Sequence, residues 1–346
     1  MATPTAQRQR SRRTTVILLI VGVAVMAAVF FFLFPQLGNY EQAFDQLTQI
    51  PMPWIAAIIA AGVLNIAVYP FTAIAAIPGL AYRHAFVDRQ VGFLISNVIP
   101  GGGAVAVGTQ YSILSRYGVS AAAAAAAVSA DAIWTYLMVL GTPAIGVLLL
   151  FSIGRSAEGY TATAIVGLIV VAISLLGIFA VLRSPESAGR IGVRLQRPAN
   201  WLWRRLRRTP PDVKAMLQQF NLQASALVAT RWRSLTVTNV AAQMAPYVVL
   251  VAALAGLGAF PRDVGWIEVF AAYSIALLLT SFPITPGGLG TVDAVLVLLL
   301  TRFGVDSSTA IAADLIWRLV WFLPQLLAGL VALGIFTFDQ RKGRPA

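Results

Sequence analysis

The feature that most narrows the fold is a succession of apolar runs: Thr14–Phe34, Trp54–Ala76, Ala121–Phe151, Thr161–Leu182, Leu235–Leu257, Val269–Phe282 and Ala310–Phe338. A helix needs about 20 apolar residues to cross roughly 30 Å of hydrocarbon, and most of these runs are long enough. Inside a bilayer no water satisfies backbone N–H and C=O groups, so such spans must be helical. Only 11% of residues are charged, whereas a soluble domain carries about 25%. The chain therefore reads as an all-α, polytopic integral membrane protein.

Charge sets the expected orientation. Arg8, Arg10, Arg12 and Arg13 precede the first run, and the stretch from Arg183 to Arg233 is dense in arginine. Arg341, Lys342 and Arg344 follow the last run, whereas the intervening loops are acidic or neutral. The positive-inside rule places every basic cluster in the cytoplasm. This gives a basic cytoplasmic N-terminus (1–13), one transmembrane domain (14–338) and a cytoplasmic tail (339–346). Within that domain, repeat one covers about 52–182, a cytoplasmic basic loop 183–233, and repeat two about 235–338. The net charge of +12 is thereby a topology signal lying on anionic headgroups, and no nucleic-acid partner is expected. Trp201 and Trp203 among the loop's arginines suit a helix in the headgroup plane. Arginine far outnumbers lysine, which is only Lys214 and Lys342, and with the abundant alanine this points to a bacterial plasma (inner) membrane. There is no cysteine, and His84 is the single histidine. Disulfides, iron–sulfur clusters and Cys/His zinc sites are excluded, and no cofactor is expected.

Two segments interrupt the apolar pattern in the same way. Ile99–Val119 reads IPGGGAVAVGTQYSILSRYGV and Thr285–Val305 reads TPGGLGTVDAVLVLLLTRFGV. Pro100, Gly101, Gly102, Arg116, Gly118 and Val119 align without gaps to Pro286, Gly287, Gly288, Arg302, Gly304 and Val305. Farther on, Ala130-Asp131-x-Ile133-Trp134 matches Ala313-Asp314-x-Ile316-Trp317. In each copy Pro-Gly-Gly ends one helix and a second begins at once. Arg116 or Arg302 then falls in the last turn, and a glycine follows at C′, where positive φ is needed. Ser120 or Asp306 is placed to cap the next long helix. The outgoing arm reaches only about 21 Å, too short to cross alone.

Both copies are therefore read as re-entrant hairpins, near Phe86–Tyr117 and Val269–Phe303. The crossing count gives about six full spans plus these two hairpins, which enter from opposite faces as an inverted repeat. Transporters often use broken helices of this kind to build a midplane substrate site.

The later copy, with Pro286, Gly287, Gly288, Gly290, Asp293, Gly304 and Val305, then Arg318, Leu319, Pro324 and Gly329 in the last run, resembles a known family. The family is the lysylphosphatidylglycerol synthase transmembrane region, also called flippase-like or UPF0104, which includes the membrane half of the multiple peptide resistance factor. The resemblance covers roughly Trp54 to Phe338. It implies an activity that moves or holds an amphiphilic lipid between leaflets. The family's first break commonly reads Pro-Gly-x-Gly-Glu with an arginine nearby, whereas this chain has Pro100-Gly-Gly-Gly-Ala; a charged pair is absent from that break. No cytosolic aminoacyl-transferase domain is present in the sequence, so lysyl transfer is not implied.

Candidate site residues follow from the cost of charge in hydrocarbon. Asp293 sits in the first turn after the second break, where it either caps the helix or partners a cationic headgroup, a proton or an arginine. Asp131 and Asp314 lie inside long apolar helices; the packing alternative is an ion pair such as Asp314 with Arg318, four residues on. Arg318 is alternatively a bidentate phosphate ligand. Pro100, Gly101, Gly102, Pro286, Gly287, Gly288 and Gly290 either let helices approach or expose backbone to a cavity. Gln110, Tyr111, Gln243 and Tyr247 are further candidates for a polar path.

No nucleophile–base pair, phosphate loop or metal cluster is found, and no catalytic residue is expected. The reading is a flippase-like protein that translocates or binds a phospholipid or lipid-linked substrate. Its rivals are a membrane transferase for lipid-linked sugars and a non-transporting lipid-binding partner of such an enzyme. Expected partners are anionic phospholipid or polyprenyl-linked lipid, a lipid-modifying enzyme, or a second copy of the chain. A reporter fused after Ala346 should be active in the cytoplasm; activity on the opposite side would overturn the crossing count.

Overall fold

The computed structural model describes residues 40–99, 102–154, 172–173, 176–177, 179–205, 210, 212–281 and 285–341. The expected first span, most of Thr161–Leu182, and Pro100 and Gly101 lie outside the described residues. Every element among those described is helical. In chain order they are α1 (Tyr40–Thr48), α2 (Met52–Val68), α3 (Phe71–Ala76), α4 (Tyr82–Val98), α5 (Gly103–Arg116) and α6 (Ala121–Ser152). After these come α7 (Pro185–Arg205), α8 (Val213–Gly256), α9 (Trp266–Leu278), α10 (Thr291–Arg302) and α11 (Ser307–Trp317). A π-helical turn (Arg318–Phe322) then leads into α12 (Leu323–Arg341). Met52–Ala76, Ala121–Ser152, Ala229–Gly256 and Ser307–Asp339 are long and apolar enough to cross a membrane. Ile59, Val63, Leu148 and Val331 on these stretches are exposed, as lipid-facing side chains are.

The local punctuation lies where the sequence puts it. The Ser120 side chain accepts from the Ala123 N–H to start α6. Asp306 accepts from the Ser308 and Thr309 N–H groups to start α11. The Ser308 hydroxyl and those amides hold the Asp306 carboxyl below its ordinary range. Gly118 and Gly304, the C′ residues, have φ of 78° and 114°, where a side chain would be strained. Within the stretch expected as a cytoplasmic basic loop (183–233), the described residues are largely helical: α7, where the mix of Trp201 and Trp203 with arginines suits a helix, and the first part of α8. Amphipathic α7 packs along the first part of α8, where the Gln196 side chain accepts from the Val213 N–H at 2.9 Å. The outer face of α7 leaves Val193, Leu195 and Trp201 exposed.

The packing is reciprocal between the halves. In each, a helix leads to a broken hairpin and then to a long helix: α2, α4/α5, α6 in the first; α8, α9/α10, α11–α12 in the second. The first hairpin arm of each half packs against the long helix of the other, α4 on α12 and α9 on α6, while α2 packs on α8. Hairpin arms also pack on each other, α4 on α5 and α9 on α10. The π turn has a sequence cause. Pro324 has no N–H to return to the Val320 carbonyl, so the preceding turn widens. There Gly62 of α2 comes so near that an added Cβ would lie 2.5 Å from the Val320 side chain. Asn65 of α2 donates to the Gln325 side chain at 3.3 Å, in the interior.

Close approach between α4 and α12 depends on Gly329, where a Cβ would lie 2.6 Å from the Gln90 carbonyl. Gly329→Ala should destabilise the purified protein by about 1–3 kcal/mol, read as a lowered thermal midpoint in detergent. Gly334→Ala, whose Cβ meets nothing within 4 Å, should leave the midpoint unchanged.

Candidate functional site

The second break runs from the end of α9 to Gly290. Pro286–Gly288 form a short 3-10 turn with Gly287 at φ 62° and Gly288 at φ 67°. A Cβ on Gly287 would lie 2.5 Å from the Phe322 ring, so both conformation and space select glycine there. The turn leaves the Gly287 and Gly288 carbonyls without helical partners, and in an apolar interior that is costly. The Thr291 hydroxyl donates to Gly288 O at 3.1 Å, and Arg318 serves both carbonyls. Its two terminal guanidinium nitrogens donate to Gly287 O at 3.3 Å and Gly288 O at 3.4 Å. Its Nε donates to Asp293 Oδ1 at 2.5 Å.

Asp293 does two jobs at once. Its other oxygen accepts from the Gly290 N–H at 2.6 Å, which closes the start of α10 as a capping residue does. Its side chain is 0% exposed and that of Arg318 is 2%. The guanidinium carbon lies 5.1 Å from the Trp317 ring, 5.6 Å from Trp321 and 5.3 Å from Phe322, a setting of cation–π attraction. The Asp314–Arg318 pair offered by spacing is thus not formed: the guanidinium is drawn to the break. Asp314 is fully buried with neither carboxyl oxygen hydrogen-bonded, and it faces Asp293. For Arg318 to grip a phosphate, it would have to release Asp293 or the break carbonyls.

The first half has its own charged cluster, which sequence reasoning missed. Asp131 of α6 accepts from Arg89 of α4 at 2.6 Å. Arg89 is 5% exposed, Asp88 beside it is 2% and Gln90 is 0%. The Arg89 guanidinium lies 5.9 Å from the Tyr69 ring. Gln110 of α5 faces Asp88. The first half thus carries its charged pair away from the break, with Arg89 on the hairpin's incoming arm and Asp131 on α6. Its signal was present: Asp88-Arg89 stands between Phe86-Val87 and Val91-Gly92-Phe93-Leu94, inside an expected hairpin, where any charge is a functional candidate.

The breaks are close in space. Leu94 and Val98, at the end of α4, form one buried cluster with Leu289, Phe322 and Leu326, and the Pro286–Gly288 turn packs on α4. Gly102 starts α5 where a Cβ would lie 2.2 Å from the Ile95 carbonyl, so the first break too is built for backbone contact. Arg116 and Arg302 occupy the last turns of α5 and α10, away from the breaks. Tyr247 donates to the Trp266 carbonyl and Tyr273 to that of Gln243, which makes those residues ties between helices rather than a path. His84 stacks on Tyr117 at 3.9 Å, and Arg83 binds Asp339 at 2.9 Å, joining the hairpin's outer end to α12.

Broken hairpins that meet at their tips, with one Arg/Asp pair at the second break and another along α4 and α6, define an integral membrane protein with polar groups built into an apolar fold. The family model for the lysylphosphatidylglycerol synthase TM region matches residues 19–329, and the chain belongs to that family. A UPF0104 membrane protein of Methanocaldococcus jannaschii is 37% identical over 78 residues, 22% of this chain and 23% of that protein. Another, of Methanothermobacter thermautotrophicus, is 31% identical over 78 residues, with the same 22% and 23% shares. The matched stretch thus spans under a quarter of either relative's length.

The Asp293–Arg318 contact makes a quantitative expectation. Arg318→Met should cost about 3–5 kcal/mol, because it strands a buried carboxylate. Adding Asp293→Asn should recover much of that loss. Equal destabilisation of the single and double variants, measured by thermal unfolding in detergent, would argue against a coupled pair.

Proposed function

We propose that the chain translocates an amphiphilic lipid, a phospholipid or a lipid-linked substrate, between leaflets of a bacterial inner membrane, with both termini cytoplasmic. The observation that carries this reading is the meeting of two broken hairpins at Leu94, Val98 and Leu289, with the buried Arg318–Asp293 pair at the second break and the part-buried Arg89–Asp131 pair farther back along α4. Broken helices expose backbone and charge where a polar headgroup must pass. Family membership supports a lipid-related role. The Asp293–Arg318 pair supplies an exchange mechanism: a headgroup phosphate displaces Asp293 from the guanidinium fork, and the freed Asp293 is then available to a cationic group. Reciprocal packing of α4 on α12 and α9 on α6 lets one hairpin open as the other closes. The chain acts here without covalent chemistry, and its partners are the lipids themselves.

Reconstituted vesicles carrying fluorescent anionic, cationic or polyprenyl lipids test the proposal. Native protein should speed the leaflet exchange of at least one class. The double variant Asp293→Asn/Arg318→Met, which leaves no stranded charge, should slow that class by tenfold or more while retaining the native elution profile in detergent. Native protein that accelerates none of the three would remove the basis of the reading.

A further inference from the structure

Each half of the fold holds the same charge set in a different arrangement. In the second half Arg318 is paired with Asp293, and Asp314 stands by, fully buried, with neither oxygen hydrogen-bonded. In the first half Arg89 is paired with Asp131, and Asp88 stands by, its Oδ2 4.0 Å from Arg89 Nε and its Oδ1 without a partner. Each cluster therefore has two carboxyl groups and one guanidinium, one negative charge in excess when all are ionised. An uncompensated charge in an apolar interior is very costly, and the cheapest remedy is to neutralise it.

Among the described residues, the charged neighbours of the two spare carboxyls include no cation besides Arg318 and Arg89, and Arg116 lies in the last turn of α5, which packs on α4. The charged groups facing Asp314 are Asp293 of α10 and Arg318 of the π turn. Of the other helices on α11, α8 reaches the same region through the Pro246 carbonyl, which accepts from Trp317 at 2.9 Å, and α1 through Gln46, which donates to Ser308 at 2.9 Å. Those facing Asp88 are Arg89 on its own helix and Asp131 of α6, with the neutral Gln110 of α5. On α12, Asp339 is bound to Arg83 at the far end of α4. Gln90, next in the chain to Arg89, is 0% exposed with neither side-chain amide atom bonded. The two spare carboxyls sit on different elements, one on a hairpin arm and one on a long helix, although Asp131 and Asp314 correspond in the sequence repeat. The charge count is kept where the positions are not.

We propose that Asp314 and Asp88 are exchangeable proton sites, one in each half, and that proton binding and release there are coupled to movement of the hairpins. A proton from water adds to the carboxylate oxygen and neutralises the cluster. The same proton leaves to water when that hairpin opens, and no other bond is made or broken. A proton on Asp314 also creates a donor toward Asp293, which competes with Arg318 for that carboxylate and so loosens its hold on the break. The coupling to lipid movement rests on the translocation reading; the existence of the proton sites does not.

Two measurements separate these. Infrared spectroscopy of the purified native protein at neutral pH should show the carbonyl stretch of protonated buried carboxyl groups. Asp314→Asn and Asp88→Asn should each remove part of that signal while keeping the native elution profile. No such band in the native protein, or a band unchanged in both variants, would overturn the proton sites whatever the transport result. In vesicles, an imposed pH gradient should change the rate of lipid exchange by native protein and leave the Asp314→Asn/Asp88→Asn double variant indifferent. Exchange by native protein that ignores the gradient would overturn the coupling while leaving translocation in place. Absence of any exchange would count against translocation, with the infrared result still deciding the proton sites.

Discussion

The contact on which the second half of the structure depends is that between Arg318 and the break it spans. A Pro-Gly-Gly interruption in an apolar helix leaves carbonyls without partners, and no water is at hand to take them. Arg318 brings five donors in a rigid fork and places two terminal nitrogens on Gly287 and Gly288 and its Nε on Asp293. Asp293 in turn caps α10 through Gly290. Break, helix start and buried charge thus satisfy one another, and removing one member leaves the rest exposed to full desolvation cost.

That arrangement also explains why the fold tolerates its own charges. Trp317, Trp321 and Phe322 surround the guanidinium, while the Pro324-induced π turn fixes the register of the helix that carries it. The first half reaches a comparable state by another route, with Arg89 on the hairpin arm and Asp131 on the long helix.

Much of this was legible in the sequence because it is local. The two breaks, the C′ glycines Gly118 and Gly304, and the caps Ser120 and Asp306 each follow from a few neighbouring residues. The importance of Asp131, Asp293, Asp314 and Arg318 followed from the price of charge among apolar neighbours. Their partners did not, because Arg89 meets Asp131 across 42 residues and Arg318 meets Asp293 across 25. Helical spacing favoured Asp314 for Arg318, and Asp293 with the break carbonyls of Gly287 and Gly288 outweighed it. A helix within 183–233 was legible in the mix of Trp201 and Trp203 with arginines; its pairing with α8 is a tertiary fact.

The central claim is that two mirrored hairpins approach one another from opposite faces. A chain without cysteine permits a direct measurement with membrane-impermeant thiol reagents on Ser115→Cys and Thr301→Cys. Both positions are exposed, near the outer ends of α5 and α10. In sealed cells Thr301→Cys should be modified from outside and Ser115→Cys only after permeabilisation. Modification of both from the same face would contradict the inverted arrangement and the account built on it.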